Sequence, residues 1–101
     1  MRMMARMRFD TAMANAAVKS GSVEKTFAAF IEKAKPEAVY FTDHCGKRSA
    51  VVIVDLPDAS KIPSLAEPWF LTFEADVQIH PIMTPADLEK AGLDAIGKKW
   101  S

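Results

Sequence analysis

Residues 3–9 read MMARMRF, and the alternation within them decides the fold. Met3, Ala5, Met7 and Phe9 recur with a period of two, while Met4, Arg6 and Arg8 fill the intervening positions. Successive side chains of a strand point to opposite faces, so the stretch predicts a β-strand with one apolar face and one largely cationic face. Directly after it, Asp10 stands where a helix N-cap belongs, and residues 11–19 are rich in the helix formers Ala and Met. Ser20-Gly21-Ser22 interrupts that helix. Val23, Phe27, Phe30, Ile31 and Ala34 then follow helical spacing and form one apolar stripe that stops before Pro36.

Further along, AVYFT at 38–42 is β-branched or aromatic and predicts a second strand, with a hairpin loop at residues 44–47 that places Gly46 at the turn. Residues 50–56, AVVIVDL, carry no polar side chain before Asp55. A strand apolar on both faces belongs inside a sheet. Asp58 or Ser60 can cap the next helix, whose stripe is Ile62, Leu65, Ala66, Trp69 and Phe70, and Pro68 is expected to kink or end it. Residues 77–83 form the last strand, where Pro81 loses a ladder donor and argues for an edge. Thr84, Pro85 and Asp87 make a capping-box start to a C-terminal helix weakened by Gly92 and Gly97.

Strand, helix, strand, strand, helix, strand is the order of the split βαβ, or ferredoxin-like, α+β pattern, a four-stranded antiparallel sheet with helices on one face. The opposite face needs cover, because the apolar third strand would otherwise meet water. A second copy packed sheet to sheet supplies that cover, so a homodimer through the open sheet face is expected.

Composition agrees with one domain over residues 1–101. The chain is half hydrophobic and 26% charged, which excludes a disordered tract. Thirteen basic side chains balance thirteen acidic ones, so no overall field favours a nucleic acid or a membrane as partner. The balance is uneven along the chain, at +4 for residues 1–35 and −4 for the rest, yet no flexible linker lies at that boundary. The single Cys45 and a start without an apolar leader point to a reduced, cytoplasmic protein.

At the level of motifs, MRMM at 1–4, KPEAVYF at 35–41, Ile62-Pro63 followed by AEPWF at 66–70, and PIMTPADLEK at 81–90 resemble a family of small uncharacterised bacterial proteins of the dimeric α+β barrel group. The resemblance implies two ferredoxin-like subunits packed sheet on sheet around a small pocket. The wider group includes muconolactone isomerases, YCII-like proteins, stress-responsive barrel proteins and small antibiotic-biosynthesis monooxygenases. None of their catalytic motifs is matched, so no family site carries over.

Chemistry therefore has to be read from the residues. If Met3, Ala5, Met7 and Phe9 face the helices together with Val77, Ile79 and Pro81, then Arg6, Arg8, Gln78 and His80 share the open face on neighbouring strands. Two guanidiniums that fork onto oxygens, beside an imidazole able to move a proton near neutral pH, suit a small carboxylate or enolisable compound, with His80 as acid/base. Tyr40 alternates onto the same face and offers a phenol. Against this stands a plainer reading, in which the arginines pair with Asp55, Glu74 or Asp76 across a dimer interface and the protein is a non-catalytic assembly or regulatory module. Glu67 reads as a solvated acid beside Pro68, and Trp100 as a clamp on a partner. His44 and Cys45, adjacent in a loop, lack an orienting third group and read as spectators. No metal spacing and no cofactor motif is present, so none of either is expected.

Overall fold

The computed structural model describes all residues, Met1–Ser101. Strand β1 (Arg2–Arg8) is followed by helices α1 (Thr11–Ser20) and α2 (Ser22–Ala34), the hairpin β2 (Ala38–His44) and β3 (Lys47–Asp55), a 3₁₀ turn at Ala59–Lys61, helix α3 (Ile62–Phe73), strand β4 (Asp76–Pro81), and helices α4 (Pro85–Lys90) and α5 (Leu93–Lys99). The architecture is α+β, with one four-stranded antiparallel sheet in the order β2-β3-β1-β4. β3 and β1 lie inside, and β4, the strand with Pro81, forms an edge.

Alternation in β1 sets the two faces. Met3, Ala5, Met7 and Phe9 are buried in one core with Ala50, Val52 and Val54 of β3 and with Ala14, Ala17, Phe27, Phe30, Leu65, Trp69 and Phe73 of the helices. Helices α1, α2 and α3 thus cover that face. Directly opposed residues of an antiparallel pair share a face, so the register Gln78↔Arg6↔Val51↔Tyr40 is one row across the other side. The rows flanking it are Asp76↔Arg8↔Ser49↔Thr42 and His80↔Met4↔Ile53↔Ala38. No helix covers this face, and Met4, Val51 and Ile53 are only half-buried at its centre.

Local signals explain the helix ends. The Asp10 carboxylate accepts from the backbone N–H of Met13 at 3.1 Å. Thr84 and Asp87 form a complete capping box, each side chain accepting from the other's backbone N–H. Two expectations need correction. Pro68 does not end α3, which runs on to Phe73; the missing donor would have served the Ser64 carbonyl, and both residues face solvent, where water can satisfy it. The stripe ends are also wetter than expected, since Ile31 and Phe70 are exposed while Phe73 is buried.

The β2–β3 turn is built on two left-handed residues, Cys45 at φ 52° and Gly46 at φ 79°. Two consecutive positive φ values are what a two-residue hairpin turn requires, and Asn tolerates the first position far better than Cys. Cys45→Asn is expected to stabilise the protein by about 0.5–2 kcal/mol, read as a higher urea midpoint at unchanged slope.

At the C-terminus, Gly92 at φ 71° breaks the chain between α4 and α5. Neither helix buries a residue. The radius of gyration is 16.8 Å, against about 13 Å for a compact chain of this length, and the long axis reaches 57 Å beside 28 and 20 Å. The excess is an arm that stands off the body.

Candidate functional site

Arginine occupies three of the four open-face positions of β1, Met4 taking the other, and the three differ in what they meet. Arg2 donates through Nε to both carboxylate oxygens of Glu37, at 2.9 and 3.2 Å. Arg8 donates through Nη2 and Nε to one oxygen of Asp76, at 2.6 and 3.1 Å. Arg6, between them, makes no ion pair, and its Nε is buried without a hydrogen-bond partner. Its cross-strand neighbours are Gln78 and Val51, neither of them charged.

A depression of about 60 Å³ opens here, lined by Arg6, Arg8, His44, Asp76 and Gln78. Three of the five residues predicted for the site, Arg6, Arg8 and Gln78, are therefore brought together. His80 and Tyr40 share the face but not the depression. His80 lies opposite Met4, one diagonal step from Arg6, a spacing of about 7–8 Å that long side chains can bridge. Tyr40 is two strands from Arg6, about 10 Å away, and is exposed on the β2 edge. His44 takes the place foreseen for a histidine. It continues the period of two through Ala38, Tyr40 and Thr42, and the strand extends far enough to carry it.

Charge at the site is asymmetric. The hydrogen bond from Arg8, and then its positive charge, hold the Asp76 carboxyl below the usual carboxylate range, and the same bond raises Arg8. A carboxyl depressed in the folded state stabilises it above the unfolded value near about 3.9, and this contribution is lost as pH falls through the folded value. Asp76→Asn should therefore lower the melting temperature modestly at neutral pH, the pair being exposed, with the difference from wild type shrinking in thermal melts taken toward acid pH. The pairing of Arg8 with Asp76 occurs within one chain. Asp55 meets the N-terminal amine at 2.8 Å, and Glu74 closes α3 with a left-handed φ of 47°.

Arg6 and Gln78 line the shallow hollow with guanidinium and amide donors, together with the neutralised Arg8–Asp76 pair. Such donors can take a carboxylate. No group of three or more His, Cys, Asp or Glu side chains converges as a metal would need. Cys45 is exposed at the turn. No helix is long and apolar enough to cross a membrane.

Comparison with curated proteins gives no match for the chain. The family described as a domain of unknown function, DUF3303, matches residues 1–96, nearly the whole length, and the chain belongs to that family.

Proposed function

We propose that the chain is a single-domain ferredoxin-like subunit, pairing with a second copy through the open sheet face as a dimeric α+β barrel in the cytoplasm, and that it holds a small acidic or carbonyl compound between the facing sheets. Arg6 anchors the anion and Gln78 hydrogen-bonds beside it. Arg8 and Tyr40 flank the ligand, and His80 serves as proton donor or acceptor in any conversion. One observation carries this reading: on a strand face where Arg2 and Arg8 are each paired, Arg6 has no carboxylate partner and lines the hollow next to Gln78. A guanidinium with no carboxylate beside it can pair with a ligand carboxylate through its terminal nitrogens, which would supply the counter-charge that Arg2 and Arg8 already have.

The size of the hollow supports the second copy. Ligand pockets enclose roughly 300–1,000 Å³, so about 60 Å³ is room for a carboxylate and little more. The facing sheet would supply the remaining wall, and it would also cover Met4, Val51 and Ile53.

The test is a titration of malonate into the ¹⁵N-labelled full chain. Chemical-shift changes that saturate and centre on Arg6, Gln78 and His44 are expected; a saturating response elsewhere, or none at millimolar malonate, would overturn the assignment. The ion pairs of Arg2 and Arg8 favour a second reading, a non-catalytic assembly module in which Arg6 meets a carboxylate of the other copy. That reading expects a dimer indifferent to malonate.

A further inference from the structure

The helix side of the sheet holds a space that the fold does not fill. Helices α2 and α3 meet through Trp69, whose ring centroid lies 4.8 Å from those of Phe27 and Phe30, rather than along their length. Beside that contact the two helices present Ala29 on one and Ser64 and Pro68 on the other, side chains too short to bridge the gap. A groove of about 720 Å³ is left between them, within the roughly 300–1,000 Å³ of small-molecule sites. Its floor is apolar, made of Phe30, Val54 and Leu65, all three buried members of the core.

Its rim is cationic. Lys25, Lys33 and Lys61 line it, and none of them makes an ion pair. The one acid of the lining, Asp55, is already held by the N-terminal amine at 2.8 Å. Lys33, in the last turn of α2, and Lys61, just before α3, stand at the end where β3 leaves the sheet, because α2 leads into β2 at Ala38, opposite Ile53, and α3 follows the end of β3. Lys25 lies eight residues before Lys33, about 12 Å along α2 at the rise of an α-helix. Lysine keeps its ammonium in water while its methylene stem lies along apolar surface, so such a rim adds charge without closing the floor.

We infer that this groove binds a medium-chain aliphatic carboxylate, with the chain laid over Phe30, Val54 and Leu65 and the carboxylate held between Lys33 and Lys61. The unpaired positive charge selects an anion, and the length of the groove along α2 selects a chain over a compact ring. The groove lies on the helix side of the sheet, away from Arg6 and from the face that the proposed dimer covers, so it does not depend on that reading.

Calorimetric titration of decanoate into the full chain, below the micelle concentration, tests the site. One decanoate per chain is expected, with decanol bound at least about tenfold more weakly. The double variant Lys33→Met and Lys61→Met keeps the apolar stems and should weaken decanoate about tenfold. Ala29→Trp fills the groove from an exposed position and should abolish binding, far-UV circular dichroism checking that each variant is folded. Saturating malonate and Arg6→Met should both leave decanoate binding unchanged. No saturable heat, or decanoate held equally by the wild type, the double variant and Ala29→Trp, would overturn the groove site. Decanol bound as tightly as decanoate would overturn its assignment to an anion, and loss of decanoate in Arg6→Met would put the ligand on the open face instead of the groove.

Discussion

Trp69→Ala is expected to remove about 3–5 kcal/mol of stability, the range for truncating a large buried aromatic. Trp69 has no exposed surface, and its ring centroid lies 4.8 Å from Phe27 and Phe30 and 6.0 Å from Phe9 and Phe73. It joins α3 to β1 and α2 in one contact group, so no single neighbour can move in to fill the space. Domains of this size are held by about 5–15 kcal/mol, and the loss would take a large part of that. Urea unfolding followed by circular dichroism should show a midpoint shifted far toward zero; a midpoint near wild type would refute the packing described. The indole Nε1 is buried without a partner. Trp69→Phe gives up ring area but also removes an unpaired donor worth about 1–3 kcal/mol, so it should cost much less than alanine.

Arg6→Met is expected to act in opposite directions on binding and on stability. Methionine has similar length, and it deletes the buried Nε that has no partner. Leaving such a group unsatisfied costs about 1–3 kcal/mol, so the ligand-free variant should melt several degrees higher, at roughly 4–8 °C per kcal/mol for a domain of this size. Loss of the charged donor should weaken malonate binding by about 10–100-fold, since hydrogen bonds to charged groups contribute roughly 1.5–3 kcal/mol. Calorimetric titration and thermal melts on one preparation read both effects. A variant that melts lower and binds malonate as wild type does would make Arg6 a structural residue. A variant whose dimer falls apart would favour the assembly reading.

Sequence patterning made the sheet legible because one face of β1 is wholly apolar and the other cationic except at Met4, and only one register puts Met3, Ala5 and Met7 in a core. Pro81 marked an edge for the same local reason, a missing donor. The pairing of β1 with β4 followed from the element order, and with it the juxtaposition of Arg6 and Gln78. Other features depended on facts that no local pattern holds. His-Cys-Gly-Lys reads as turn chemistry and so puts His44 in a loop, whereas the period of two from Ala38 through Tyr40 and Thr42 extends to His44 and is the signal for its place on the open face. Pro68 reads as a helix stop or kink, a rule that weakens where the orphaned carbonyl faces water. The ion pairing of Arg8 but not Arg6 was beyond reach, because it depends on which side chain stands opposite each in the register. Least legible was the arm: its capping box and its glycines were plain, but whether a short amphipathic helix packs on its own subunit or stands away from it is settled by tertiary structure.

The central claim is that two open sheet faces meet and enclose an anion held by Arg6, and native mass spectrometry of the full chain in the presence of malonate tests it most directly. The account predicts a species at about 22.2 kDa, twice the 11.1 kDa chain, carrying malonate that is lost in Arg6→Met while the dimer persists. A species at 11.1 kDa alone, or a dimer whose malonate is retained in Arg6→Met, would contradict it.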